Sequence, residues 1–255
     1  MTLPVPLNRD AHRVAPASSA AKVPQPKPQL RRYDVCRLSP DGTIAETRHV
    51  APALPLFEDA FCAFSRGSLI ETDAGLVAVE DLLPGDRIVT SDGKAEPLVW
   101  KGSTTLVPGR PGPQGRKLHL TRIMTDSFGI QRPISCLIAG PSARLLHTPG
   151  HLRSLAGGQQ ILSPVQACID GMNVVETAPP TPVQLYHLCL ATHAVIRVGG
   201  LDFETYHPGP NAGRMVSHAM RPVFLNLFPH VSQFCDFGAL RHPRAGDGQI
   251  HAVVT

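Results

Sequence analysis

Hydrophobic and polar positions in this chain alternate in short runs that turn residues keep interrupting. The clearest stretch runs from Phe61 to Trp100. Leu69–Thr72 and Leu76–Val79 are aliphatic and β-branched runs separated by Asp73-Ala74-Gly75, a turn chemistry. Arg87–Thr90 and Pro97–Trp100 flank Ser91-Asp92-Gly93-Lys94, and Asp-Gly between strand-like runs signals a hairpin. Between these two hairpins, Glu80 to Asp86 makes one short turn closed by Pro84-Gly85. Upstream the same reading finds a third hairpin: Tyr33–Leu38 alternates, Ser39-Pro40-Asp41-Gly42 turns, and Thr43–His49 returns. Ala51–Pro55 is a Pro-punctuated connector, and Leu56–Phe61 a brief helical turn.

Downstream, Pro108–Gly115 is a loop and Lys117–Thr125 a strand. Ser135–His147 holds two aliphatic runs broken at Gly140-Pro141. Leu152–Leu155 and Gln160–Leu162 flank Ala156-Gly157-Gly158-Gln159, a further hairpin. Val183–Leu190, His193–Val198 and Leu201–His207 supply the last strands, separated by Ala191-Thr192 and Gly199-Gly200. Beyond Pro208 the pattern weakens, although Pro222–Phe228 is apolar enough to pack back. The chain also repeats itself. Val79–Val89 overlays on Val165–Val175, each copy beginning at a Val, holding one Gly, ending in an apolar pair and following a hairpin. Such a repeat points to a pseudo-twofold β domain.

Composition sharpens this picture. The 255 residues include 26 prolines and 22 glycines, a density that disfavours helices and favours short strands joined by turns, an all-β chain. Hydrophobic residues make up 42%, enough for a core. No run approaches the ~18 apolar residues that would span a membrane. A formal charge of +4 with scattered positives does not point to nucleic acid. The basic residues Lys22, Lys27, Arg31 and Arg32 read as a solvated leader. Six singly spaced cysteines (Cys36, Cys62, Cys136, Cys168, Cys189 and Cys235) give neither zinc spacing nor a disulfide scaffold, and most read as buried thiols. Residues 1–25 lack the apolar core of a secretory signal, and the expected setting is cytoplasmic. The expected organisation is a disordered Pro/Ala-rich tail over 1–30, a hairpin and connector over 31–55, a main β domain over 56–209 and an irregular extension over 210–255.

Four motifs in order carry a family resemblance. Ala63-Phe64-Ser65-Arg66-Gly67-Ser68-Leu69-Ile70 stands where the family opens with Cys-Phe-x-x-Gly-Thr-x-Ile. Val79 to Asp86 reads Val-Glu-Asp-Leu-x-Pro-Gly-Asp intact. Pro97 to Gly102 gives Pro-x-x-Trp-x-Gly, and His187-Leu188-Cys189-Leu190 with His193 precedes Tyr206-His207-Pro208-Gly209. Over Ala63 to about Gly209 the chain resembles the Hint (Hedgehog/intein) domain in its bacterial stand-alone form. The resemblance implies a horseshoe-like all-β fold with a pseudo-twofold repeat. It also implies self-cleavage or splicing chemistry. A first-residue thiol attacks the preceding carbonyl in an N-to-S acyl shift, and a middle-strand His after Ser/Thr-Pro assists by donating to the amide nitrogen.

Both key positions depart from that pattern. The nucleophile position is Ala63, and Gly140-Pro141-Ser142-Ala143 puts Ala143 at the His position. Two substitutes are open. Cys62, one residue early, is either a shifted nucleophile or a packed thiol between Phe61 and Ala63; a one-residue slip in a strand turns it to the other face. His151, in Thr148-Pro149-Gly150-His151, is either an assisting group or an exposed hairpin end. His193 at a turn edge and His187 on a strand are assisting groups or hydrogen-bonded structural ones, and His207 before Pro208 ends a strand. No terminal His-Asn supports ligation. The expected function is a catalytically degenerate Hint-domain protein acting as a scaffold for a protein or peptide partner, with no cofactor, metal or nucleic acid. The alternative is an autoproteolytic N-to-S shift at Phe61-Cys62, with Cys62 as nucleophile and His193 or His151 assisting. An unrelated β-sandwich binder is the third reading.

Overall fold

Strands end in this molecule where the turn residues fall. The computed structural model describes residues 29–107, 119–149 and 159–245. The tail over 1–28, the Pro108–Gly115 loop, Leu152–Leu155 and His151 all lie outside these. Among the described residues fifteen strands form one irregular antiparallel sheet system. β1 (Leu30–Leu38) and β2 (Ile44–Pro52) pair along their whole length, about a turn in which Gly42 takes a φ of 81°. α1 (Pro55–Asp59) is the single helical turn before the main domain. Then come β3 (Phe64–Ser65), the hairpin of β4 (Leu69–Thr72) and β5 (Gly75–Ala78), and the hairpin of β6 (Arg87–Val89) and β7 (Ala95–Leu106). β8 (Leu120–Ile123), β9 (Leu137–Ala139), β10 (Arg144–His147), β11 (Ile161–Pro164), β12 (Val174–Thr177) and β13 (Val183–Leu190) follow. β14 (Val195–Val198) and β15 (Leu201–Glu204) close the sheet, and α2 (Ala212–Met215) and α3 (Met220–Leu225) lie beyond it.

The twelve residues of β7 join the two halves. Its start pairs with β6, and its remainder pairs with β13 on one side and β1 on the other. Period-two alternation then sorts side chains between two cores. On β13, Tyr186, Leu188 and Leu190 enter one core while Leu185 and Cys189 enter the other. The first core holds Ile70, Val79, Leu82, Ile88 and Phe203. The second is aromatic and gathers Tyr33, Phe57 and Phe61 from before Ala63, Trp100 and Tyr206 from the strands that follow, and Phe224 and Phe228 from beyond residue 209.

The motifs are explained by this packing. Trp100 stacks on Phe228 with ring centroids 4.6 Å apart and donates its indole N–H to the Leu227 carbonyl at 2.7 Å. A Cβ at Gly102 would stand 2.2 Å from that indole and 2.6 Å from the Phe61 ring, so the Trp-x-Gly spacing is steric. In Val79–Asp86, the Glu80 carboxylate accepts from the Gly67 N–H and the Asp86 carboxylate from the Leu83 N–H. Gly85 takes a φ of 104°, a region open to glycine. The Lys101 ammonium reaches over from β7 and donates to the carbonyls of Val79, Glu80 and Leu82.

The internal repeat has local counterparts. Leu69 lies opposite Ala78 in one hairpin and Arg144 opposite Pro164 in the other. The Val79 N–H donates to the Ser68 carbonyl, and the Val165 N–H to the Ala143 carbonyl. In the second copy the Val opens a 3₁₀ turn, Val165–Cys168.

Two details differ from expectation. Arg31 and Arg32 sit in β1 rather than in a solvated leader, and Arg31 forms a largely buried ion pair with Glu58 at 2.7 Å. Cys136 and Cys235 are exposed, whereas Cys36, Cys62 and Cys189 are buried and Cys168 is half-buried.

Candidate functional site

The junction between Cys62 and Ala63 runs between the Gly140–Ala143 loop and β13, and backbone bonds fix it from both sides. The Ala63 N–H donates to the Tyr186 carbonyl at 3.0 Å, and the Ala63 carbonyl accepts from the Gly140 N–H at 2.7 Å. The Cys62 carbonyl accepts from the Ser142 N–H at 3.1 Å. Both polar ends of the peptide unit joining residues 62 and 63 are therefore bonded to the framework, as buried backbone requires. The loop comes this close because residue 140 has no side chain. A Cβ there would lie 2.0 Å from the Cys62 carbonyl oxygen.

The side chains around the junction are apolar. Ala63 and Ala143 are both buried in the core that contains Phe64, Leu145 and Val165. Neither offers a nucleophile or a proton. Cys62 faces the other way, into the aromatic core beside Tyr33, Phe57 and Phe61, as the one-residue slip predicts. Burial pushes its thiol well above the ordinary range, and the Glu58 charge adds to this while Arg31 opposes it. A thiol in such surroundings holds little thiolate, the form that attacks.

The histidines are held in a separate polar network. His193 is buried, and its Nδ1 accepts from the Arg241 N–H at 3.0 Å. Its Nε2 therefore carries the proton and donates to Glu204 at 2.8 Å. Arg244 also pairs with Glu204 at 2.9 Å, and Arg144 lies 3.6 Å from the same carboxylate. Burial pushes Glu204 up, but the His193 hydrogen bond and Arg244 outweigh it and hold the carboxyl below its usual range. Among the described residues no hydrogen bond or ring contact links His193 to Cys62. His187 accepts the Leu188 N–H at Nδ1, and burial pushes it down to about 3, so it is neutral. His207 accepts from the Gly209 N–H and donates to the Gly238 carbonyl, closing the end of its strand.

His187 lines a polar cleft of about 130 Å³ with Asp59, Ser142, Arg144, Tyr206 and Arg244. Asp59 is raised to about 6 by the protein around it, against the pull of Arg144 and Arg244, although its surface stays open to solvent. The sequence reading missed Glu58, Glu204, Arg241 and Arg244. Arg244 lies 40 positions from Glu204 in a stretch that reads as loop, and no local pattern ties the two. Among the described residues no group of His, Cys, Asp and Glu is placed to hold a metal ion. No helix described is long and apolar enough to cross a membrane.

The sequence pattern of the Hint domain matches residues 62–210, more than half of the chain. No curated protein sequence matches it. Solved structures do. The solution structure of a bacterial intein-like domain from Clostridium thermocellum aligns at 11% identity and a TM-score of 0.37, over 57% of this chain and 99% of that one. The crystal structure of the MchDnaB-1 intein aligns at 18% identity and a TM-score of 0.32, over 56% of this chain and 100% of that one.

Proposed function

The chain belongs to the Hint domain family, and from that premise we propose that its peptide-bond chemistry is degenerate and that it serves as a binding or interaction scaffold for a protein or peptide. The observation that carries this reading is where the segment before the junction goes. Self-cleavage releases what lies upstream, but here Tyr33, Phe57 and Phe61 are fully buried in the same core as Trp100, Phe224 and Phe228. β1 pairs with β7 as well as with β2, which makes the upstream hairpin part of the sheet. A cut at residue 62 would therefore leave two pieces still packed together.

The chemistry points the same way. An acyl shift needs a thiolate or alkoxide against the junction carbonyl and an imidazole at the amide. Methyl groups stand at both places, the nearest thiol is buried and protonated, and the buried imidazole of His193 is committed to Glu204 and Arg241. For a shift at Phe61-Cys62, Cys62 would have to leave the aromatic core.

Expression of residues 63–255 without the upstream segment tests the reading. The fragment is expected to lack cooperative unfolding, because Trp100 loses Phe61, Phe224 loses Phe57, and β7 loses its β1 partner. A fragment that folds with native sheet content and a sharp thermal transition would mean that the upstream segment is a detachable passenger, and the reading would fail.

A further inference from the structure

β2 is nine residues long and, among the described residues, pairs with β1 alone. Its other edge is, among the described residues, a row of backbone groups without a partner, and such edges recruit further strands. The ladder fixes which groups these are. The Ser39 N–H donates to the Thr43 carbonyl at one end of the hairpin, and the Ala53 N–H to the Gln29 carbonyl at the other. In an antiparallel pair hydrogen-bonded positions alternate, so the odd-numbered residues from Thr43 to Ala53 face β1. Ile44, Glu46, Arg48 and Val50 turn their N–H and C=O outward. Their side chains share one face. Ile44 is 45% exposed and Val50 67% exposed. Glu46 makes no hydrogen bond or ion pair among the described residues, and the Arg48 side chain is 67% exposed while holding Asp34.

We propose that the chain forms a twofold dimer in which β2 pairs antiparallel with β2 of a second copy, centred on Thr47. That register sets Glu46 opposite Arg48 and Ile44 opposite Val50, twice each by symmetry, and every outward N–H and C=O of the four residues finds a partner. The neighbouring registers that also match the outward groups are centred on Glu46 or Arg48. They set Glu46 against Glu46 or Arg48 against Arg48, and like charges directly opposite are unfavourable. The strand is therefore complementary to itself in one register. The contact is isologous, so it consumes both edges and closes. The remaining fingers of the Arg48 guanidinium reach Glu46 of the second copy without releasing Asp34.

Sedimentation of the full chain over a range of concentrations, with three variants, tests the proposal. The unaltered chain is expected to dimerise. Glu46→Arg and Arg48→Glu each put like charges opposite one another, and each is expected to weaken the dimer by about tenfold or more. An equimolar mixture of the two is expected to dimerise again, because each copy then meets its opposite at both positions. Arg48→Pro removes one outward N–H without touching the β1 ladder, a change an edge strand tolerates; it is expected to stay folded by circular dichroism and to be monomeric. A chain monomeric at all concentrations overturns the proposal, as does a dimer indifferent to the single charge changes or a mixture that fails to recover it. An edge covered by residues 1–28 would give the first of these.

Discussion

The backbone nitrogen of Ser142 donates to the carbonyl oxygen of Cys62 at 3.1 Å, across a gap that admits no side chain at Gly140. In a self-cleaving member of the family this carbonyl is the one a nucleophile must reach. Here the Gly140–Ala143 loop is pressed onto it, and on the function proposed above the junction serves as a structural joint.

Gly140 is therefore expected to resist substitution. A Cβ 2.0 Å from the Cys62 oxygen cannot be absorbed by a flexible side chain, because the obstacle is backbone. Gly140→Ala is expected to cost about 1–3 kcal/mol, a Tm drop of roughly 3–10 °C by differential scanning calorimetry. An unchanged Tm would mean that the loop stands off the junction.

Lys101 offers a second test. Burial pulls its ammonium below the usual lysine range, against the opposing pull of Cys36, Asp81 and Asp86. It persists because it holds the carbonyls of Val79, Glu80 and Leu82 together. Lys101→Met keeps most of the volume and orphans those acceptors. Urea unfolding is expected to show a loss of roughly 1–3 kcal/mol. A variant as stable as the parent would show that the turn holds itself.

Acid is expected to destabilise the fold before the carboxylates titrate. Burial holds His187 at about 3 and His207 at about 4 in the folded chain, against an ordinary value of 6.5. The unfolded chain takes up protons at these positions first, so their contribution is whole above about pH 6.5 and is lost as pH falls toward the folded values. Between pH 7 and pH 5 the loss is roughly 2 kcal/mol for each. Asp59, raised to about 6, works in the opposite direction over part of this range, but it is exposed and its share is smaller. The lowered Glu204 matters only below its ordinary value near 4.5. Urea midpoints at pH 7 and pH 5 measure the slope, and His187→Gln is expected to flatten it. A stability that does not fall by pH 5 would contradict the buried, neutral state of these rings.

What the sequence revealed followed from local chemistry. Asp92-Gly93 and Pro84-Gly85 mark their turns because only certain residues fit such backbones, and β4, β5 and β6 begin and end within a residue of expectation, whereas β7 starts two residues early and runs on past Trp100 to Leu106. The alternation that places Cys62 and Ala63 in different cores was legible for the same reason. Gly140 was legible only as part of the Gly140-Pro141 break between two aliphatic runs, and the reason for a glycine there lies in a backbone 78 positions earlier in the chain. The Glu204–Arg244 pair and the Trp100–Leu227 hydrogen bond join distant segments through space, and no spacing rule encodes them. The outward row of β2 needed the hairpin's hydrogen-bond phase as well as its sequence.

The central claim is that this Hint domain no longer cuts at its junction. Intact-mass spectrometry of the purified chain, incubated with dithiothreitol and separately with hydroxylamine, tests it most directly. One species at the full-length mass of 27.4 kDa is the expected result under both treatments. Thiol-induced fragments beginning at Cys62 or Ala63, and their disappearance in Cys62→Ala, would contradict it.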